Sequence, residues 1–214
     1  MPRADKFQLM SAQLEKVGAV AVLTLGHPPV NALGAVLKTA LLQHLETALD
    51  DPTVRAIVIA SDGKHFSAGA DIREVGSAAA APSLPEIIER IETSPKPIVA
   101  ALHGAVAGGG LELALGCHCR VAEESARLSL PEVTLGILPG AGGTVRLPRL
   151  VGVEAALDLI LSGRVVTAEE AVTLGLVDEA VPAHTARERG HPRGGYRRNR
   201  GSGGPGPRPG ARDL

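Results

Sequence analysis

Two carboxylates stand out because their neighbours are apolar. Glu112 follows Gly108, Gly109 and Gly110 and opens an apolar helical segment, GGGLELALG. Glu132 follows Pro131 in an apolar loop, LPEVTLG. A carboxylate costs free energy to bury unless something stabilises it. Two of them in such settings call for an explanation, and general acid–base chemistry supplies one.

Three segments surround these residues. Residues 66–72, FSAGADI, are mostly small, so a ligand can approach the main chain closely, and Gly69 permits unusual backbone angles. Residues 104–117, GAVAGGGLELALGC, place a glycine cluster at the start of a helix. The first N–H groups of a helix lack internal acceptors, and such donors can hold a developing oxyanion. Residues 130–148, LPEVTLGILPGAGGTVRLP, carry Glu132 ahead of a second glycine-rich turn.

Taken singly, each feature has an ordinary meaning. Three glycines before a helix commonly serve packing. Glu112 alone would be a first-turn glutamate favoured by the helix dipole. Glu132 alone would be a surface loop residue, and Asp71 a cap or turn residue. His65 and His103 have no nucleophile beside them in sequence. No GxGxxG fingerprint surrounds the glycine clusters, and no GKS or GKT phosphate loop occurs. Cys117 and Cys119 are too near each other for a mutual disulfide. No further ligand cluster suggests zinc, so they read as small core residues in a reducing compartment.

The elements that must position these residues follow from apolar patterning. Residues 19–25 (AVAVLTL), 56–60 (AIVIA) and 97–102 (PIVAAL) read as buried strands. Residues 33–49 and 83–94 have helical apolar spacing, and a helix is expected over 109–116. Val121 and residues 128–130 suggest short strands. Residues 153–161 and 168–174 read as helices stopped by Gly163 and Gly175. Continuous apolar strands alternating with helices indicate a parallel sheet covered by helices, an α/β class.

The 214 residues suffice for one domain with a substantial core, and 44% of them are hydrophobic. Phe7, Phe66 and Tyr196 are the whole aromatic set. The folded part therefore lacks stacking platforms for bases, which argues against single-stranded nucleic acid as a partner. No secretory leader or membrane-spanning run is read in the sequence. The net charge of −1 conceals an asymmetry. Residues 184–214 carry eight arginines against Glu188 and Asp213, with eight glycines and four prolines. That stretch cannot bury an apolar face and is expected to be disordered, leaving 1–183 as the folded domain.

Together and in order, FSAGADI, AALHGAVAGGGLELALGC and LPEVTLGILPGAGGTVRLPRLVG resemble the motif series of the enoyl-CoA hydratase/isomerase (crotonase) superfamily. The last two look most like the hydratase domain of multifunctional fatty-acid oxidation enzymes. The resemblance runs from about residue 19 to 182. It implies a crotonase-like α/β fold, with ββα repeats forming a spiral of sheets inside surrounding helices. It implies hydration of a 2-trans-enoyl-CoA to a 3-hydroxyacyl-CoA in fatty-acid β-oxidation, with Δ3,Δ2-enoyl-CoA isomerisation as a second activity. By motif match, the N–H groups of Ala70 and Gly109 form the oxyanion hole for the thioester. Glu112 helps activate water, and Glu132 delivers or removes the proton at the α-carbon. Ala68, Asp71 and Ile72 lie where the family binds coenzyme A. Arg73 could meet a phosphate or be a solvated surface residue.

The resemblance further implies no metal and no cofactor beyond the coenzyme A of the substrate. The partner is an acyl-CoA, with no membrane involved, a homo-oligomer is compatible with it, and the location expected is cytoplasmic. A complete domain of this family continues past Val181 into a helical C-terminal region, which the arginine-rich stretch is expected to replace. That stretch reads as a frameshifted segment or as a basic arm. The alternative to an active hydratase is a non-catalytic acyl-CoA-binding or assembly fragment inactivated by C-terminal truncation, and weak or no hydratase activity is expected if that helical region is missing.

Overall fold

The computed structural model describes residues 11–74 and 82–189. In chain order the strands are β1 (Gln13–Val17), β2 (Val20–Leu25), β3 (Ala56–Ser61), β4 (Ile98–Leu102), β5 (Ala105–Ala107), β6 (Cys119–Glu123), β7 (Arg127–Ser129), β8 (Val166–Thr167) and β9 (Glu179–Val181). The helices are α1 (Ala35–Asp50), α2 (Leu84–Glu92), α3 (Gly109–Gly116), α4 (Gly143–Val151), α5 (Val153–Ser162), α6 (Ala168–Leu174) and α7 (Ala186–Arg189).

Six strands form the main sheet in the order β1-β2-β3-β4-β6-β9. Every pairing in it is parallel except β1 with β2, which turn back on each other at Gly18. A second sheet has the order β5-β7-β8, with β5 and β7 parallel and β8 antiparallel to β7. Two long strands are each followed by a short one that leaves for the second sheet: β4 by β5, and β6 by β7. After β3, Ser67 makes the equivalent step through a parallel bridge to Val106. These ββα steps build the crotonase-like spiral.

The inner strands β2, β3 and β4 are buried on both faces, which explains their continuous apolar sequences, whereas the edge strand β1 is largely exposed. One face packs on the helices, with Leu23, Leu25, Ile57 and Ile59 against Leu37, Leu41 and Leu45 of α1 and Ile87, Ile88 and Ile91 of α2. The other face carries Val20, Val22, Val58, Ala101, Val121 and Val181. Residues alternate along β2 between these two sets, as a pleated strand requires. α2 starts from a capping box in which Ser83 and Glu86 each bond the other's backbone.

The expected parallel sheet is present, with β1–β2 and β7–β8 as antiparallel additions. Two expectations are corrected. Glu132 does not lie in an irregular loop; it sits in a 3-10 turn, Pro131–Leu135, ended by the left-handed Gly136. Ordered chain also continues past residue 183. The His184 amide donates to Glu123 Oε1 at 2.6 Å, and Ala186 of α7 is buried against the second face of the main sheet. Arg187 reaches Glu15 at 3.4 Å. Those contacts hold four helical residues that composition alone reads as a tail. The remainder of that stretch, 190–214, lies outside the described residues, as do residues 1–10.

Candidate active site

Glycine packing brings residues 66–72 against the start of α3. Gly108 has φ 52° and ψ −128°, a conformation that side chains disfavour. A Cβ on Gly110 would stand 2.7 Å from Cβ of Ser67. One on Gly69, where φ is 100°, would lie 3.0 Å from the Ala107 carbonyl oxygen and 3.1 Å from the Gly109 nitrogen. Only bare backbone allows these two segments to touch. Ser67 then locks the approach: its carbonyl accepts from Ala107 N at 2.9 Å, and its hydroxyl donates to the Asn31 carbonyl at 2.7 Å. The Leu33 amide completes the frame by donating to Gly69 at 2.8 Å.

This packing sets two amides side by side. A Cβ on Gly109 would lie 3.4 Å from Ala70 N. Neither the Ala70 nor the Gly109 N–H meets an acceptor among the described residues. Gly109 is the first residue of α3, so its N–H points out of a helix N-terminus.

Both glutamates flank that terminus. Glu112 lies in the first turn of α3 and is 3% exposed. Its Oε1 accepts from Ala141 N at 2.7 Å and from Gly143 N at 2.8 Å. Burial raises its pKa, and the two amides and the nearby Arg146 guanidinium pull it part of the way back. Glu132 is 8% exposed, and a Cβ on Gly108 would lie 3.2 Å from its Oε1. Its Oε2 is buried with no hydrogen-bond partner among the described residues. Burial raises its pKa, its own backbone amide opposes that, and the charge of Glu112 adds to it. Two carboxyls with raised pKa values beside a pair of open amides can exchange protons with a polarised carbonyl compound.

The other expected residues take separate places. Ala68 is exposed and held through its amide, which donates to Val30 O at 2.9 Å. Asp71 binds Arg73 through Nε at 2.8 Å and Nη2 at 2.6 Å, and also takes the Arg73 amide. The Arg73 side chain beside it holds the Asp71 carboxyl down at about 2. Ile72 begins a 3-10 turn, Ile72–Glu74, and its side chain lies outside the description. Arg73 is therefore engaged by Asp71 as well as being exposed.

His65 accepts the Ala105 amide at 3.1 Å, and His103 pairs with the Gly63 carbonyl at 3.2 Å, so both serve the frame. Cys117 and Cys119 are buried and form no disulfide among the described residues, and burial pushes the Cys117 thiol up to about 12. Two cavities, of about 540 and 710 Å³, include none of Glu112, Glu132, Ala70 and Gly109 among their lining residues. Among the described residues no group of three His, Cys, Asp or Glu is placed to hold a metal.

Sequence reasoning missed the anchors of Glu112. Ala141 and Gly143 belong to a glycine-rich turn, but nothing local marks their amides as partners of a residue on α3. It also missed Arg120, which is 4% exposed and caps the end of α3 through the Cys117 carbonyl at 2.7 Å.

A ββα spiral with two buried carboxyls at one glycine-opened helix defines a crotonase-fold protein. Comparison with known proteins specifies it further. The family model described as enoyl-CoA hydratase/isomerase matches residues 15–190, and the chain belongs to that family. It is 52% identical over 167 residues to a peroxisomal bifunctional enzyme of Danio rerio, covering 78% of this chain and 23% of that one. It is 50% identical over 165 residues to a probable enoyl-CoA hydratase of Bacillus subtilis (strain 168), covering 74% of this chain and 64% of that one. A solved enoyl-CoA hydratase from Bacillus anthracis superposes with a TM-score of 0.78 at 37% identity, over 83% of this chain and 72% of that one. The chain thus spans about a quarter of the bifunctional enzyme's length.

Proposed function

We propose that this chain hydrates 2-trans-enoyl-CoA thioesters to 3-hydroxyacyl-CoA in fatty-acid β-oxidation. The observation that carries this reading is the convergence of two buried carboxyls on two open amides. In the reaction a water oxygen bonds to C3, a proton bonds to C2, and the C2–C3 double bond becomes single. The thioester oxygen gains negative charge on the way. The N–H groups of Ala70 and Gly109 receive that oxygen; one such donor is worth about 3 kcal/mol of barrier. Glu112, ionised, takes a proton from the attacking water. Glu132, protonated, gives one to C2. Each positioned carboxyl contributes roughly 10²–10⁴-fold.

Coenzyme A lies along Ala68, Asp71 and Ile72 and meets mainly their backbone, since the Asp71 carboxylate is taken by Arg73. Adding water to a conjugated thioester changes no oxidation state, so the chemistry calls for no cofactor beyond the coenzyme A of the substrate. The acyl-CoA is the partner, with no membrane and no nucleic acid, and a homo-oligomer is compatible with the fold. Among the described residues no helix is long and apolar enough to cross a membrane. Two buried cysteines that form no disulfide among the described residues fit a cytoplasmic location. The bifunctional relatives are named as peroxisomal, and imaging a fluorescent fusion distinguishes the two compartments.

A second reaction, Δ3,Δ2-enoyl-CoA isomerisation, is favoured by one observation. Glu132 Oε2 has no partner among the described residues, so this carboxyl can carry a proton between C4 and C2 of the same enolate.

Mass spectrometry of crotonyl-CoA incubated with the purified chain in H₂¹⁸O tests the main reading. A 3-hydroxybutyryl-CoA product carrying ¹⁸O at the 3-hydroxyl is expected. Bound crotonyl-CoA without ¹⁸O incorporation would favour the non-catalytic, acyl-CoA-binding alternative.

A further inference from the structure

One ion pair beside the site has no part in the chemistry above. Arg146, on α4, extends to the end of α2 and forms a two-pronged bridge with Glu92, Nε to Oε1 at 2.8 Å and Nη2 to Oε2 at 2.6 Å. Its remaining nitrogen, Nη1, donates to the Ala141 carbonyl at 2.9 Å. Ala141 is also the residue whose amide holds Glu112. The Arg146 backbone amide closes the same turn by donating to Gly142 O at 3.0 Å. Gly142 adopts φ 98°, and a Cβ there would collide with the guanidinium. The side chain therefore lies across the 139–143 turn and fits it closely.

We propose that Arg146, anchored by Glu92, is a positioning residue that fixes the 139–143 turn so that the Ala141 and Gly143 amides hold the Glu112 carboxylate. The shape of the guanidinium matters. A planar fork can bind a carboxylate with two nitrogens and still aim a third at a carbonyl, which an ammonium cannot do. The charge acts in the same direction. Arg146 faces Glu92 and Glu89 from α2 and Glu112 from α3. Arg149 and His118 also face Glu92, and Glu132 faces Glu112 from the 3-10 turn. Against burial, the guanidinium and the two amides favour the ionised form of Glu112.

The effect on rate rests on the hydration reading; the effect on Glu112 does not. The test is a ¹³C NMR titration of glutamate-labelled protein, with the Glu112 signal assigned by its absence in Glu112→Gln. Enoyl-CoA hydration and backbone amide exchange are measured beside it. In Arg146→Gln the Glu112 midpoint should rise by about one pH unit. The hydration kcat should fall about tenfold with KM nearly unchanged, and its acid limb should move to higher pH. Amide exchange at residues 140–143 of this turn should quicken.

A folded Arg146→Gln protein with wild-type Glu112 midpoint and wild-type exchange overturns the proposal. If Arg146→Gln does not fold, Arg146→Lys, which keeps the charge, carries the test. Faster exchange at 140–143 and a lower kcat are expected there, and wild-type exchange overturns the proposal. A wild-type chain without turnover, whose Glu112 midpoint still moves in Arg146→Gln, removes the hydration reading and leaves the positioning role standing.

Discussion

Glu112 and Glu132 flank the same helix terminus and are held in contrasting ways. The region around Glu112 is tied at every level. Two backbone amides grip Oε1, Arg146 braces the turn that supplies them, and Arg120 secures the far end of α3. The region around Glu132 is a single 3-10 turn with one carboxylate oxygen unpartnered among the described residues, and Val133, Leu135, Ile137 and Leu138 at its surface are exposed. The contrast matches the two proposed tasks. A carboxylate that orients water gains from a fixed direction. A carboxyl that passes its proton to carbon must keep one oxygen free of competing donors. A buried oxygen without a protein partner costs on the order of 1–3 kcal/mol, which sets Glu132 against the stability of the fold.

Glycine substitutions break the contrast most sharply. A Cβ on Gly143 would press within 3.1 Å of Glu112 Oε1 and 3.0 Å of the Pro139 Cβ. Gly143→Ala should therefore displace the carboxylate and lower hydration kcat about ten- to a hundredfold in steady-state kinetics. Gly136, which ends the Glu132 turn, has nothing within 4 Å of where a Cβ would stand, and its φ of 71° makes the cost one of backbone strain. Gly136→Ala should lose about 1 kcal/mol in chemical denaturation while keeping most of its turnover.

A smaller effect sharpens the contrast through stability. The Glu132 pKa is raised in the folded protein above its ordinary 4.5. A raised carboxyl pKa favours the folded state fully below the unfolded value and loses that contribution as pH rises through the folded value. Glu132→Gln removes the buried charge and should gain on the order of 1 kcal/mol near neutral pH, with the gap from wild type widening upward from about pH 4.5. Glu112→Gln should gain less, because the carboxylate it replaces already accepts two amides. Denaturation series at several pH values check both. Equal gains at the two positions would erase the difference between the regions.

Much of the frame was legible from the chain because its signals are local. Residues 109–116 were expected as a helix and form α3. The long strands β2, β3 and β4 appear within a residue or two of the apolar runs that mark them. The second sheet was far less legible. Its strands β5, β7 and β8 are two or three residues long, and their pairing depends on neighbours brought up by the main sheet. The site divides in the same way. Apolar surroundings singled out Glu112 and Glu132, but their roles came from resemblance. The Ala141 and Gly143 amides could not be read at all, since their partner is on another helix. Nothing local in the sequence marks Arg146, since its partners, the Glu92 carboxylate and the Ala141 carbonyl, meet it only in the fold.

The most direct test of the central claim is the loss of crotonyl-CoA ultraviolet absorbance, followed across pH with wild type, Glu112→Gln and Glu132→Gln. The account predicts turnover by wild type that rises with pH as Glu112 ionises and falls as Glu132 loses its proton. Both limbs should lie above the ordinary carboxylate range, and each single variant should fall about 10²–10⁴-fold. Turnover that survives in either variant at the wild-type rate would contradict the paired roles of these carboxyls.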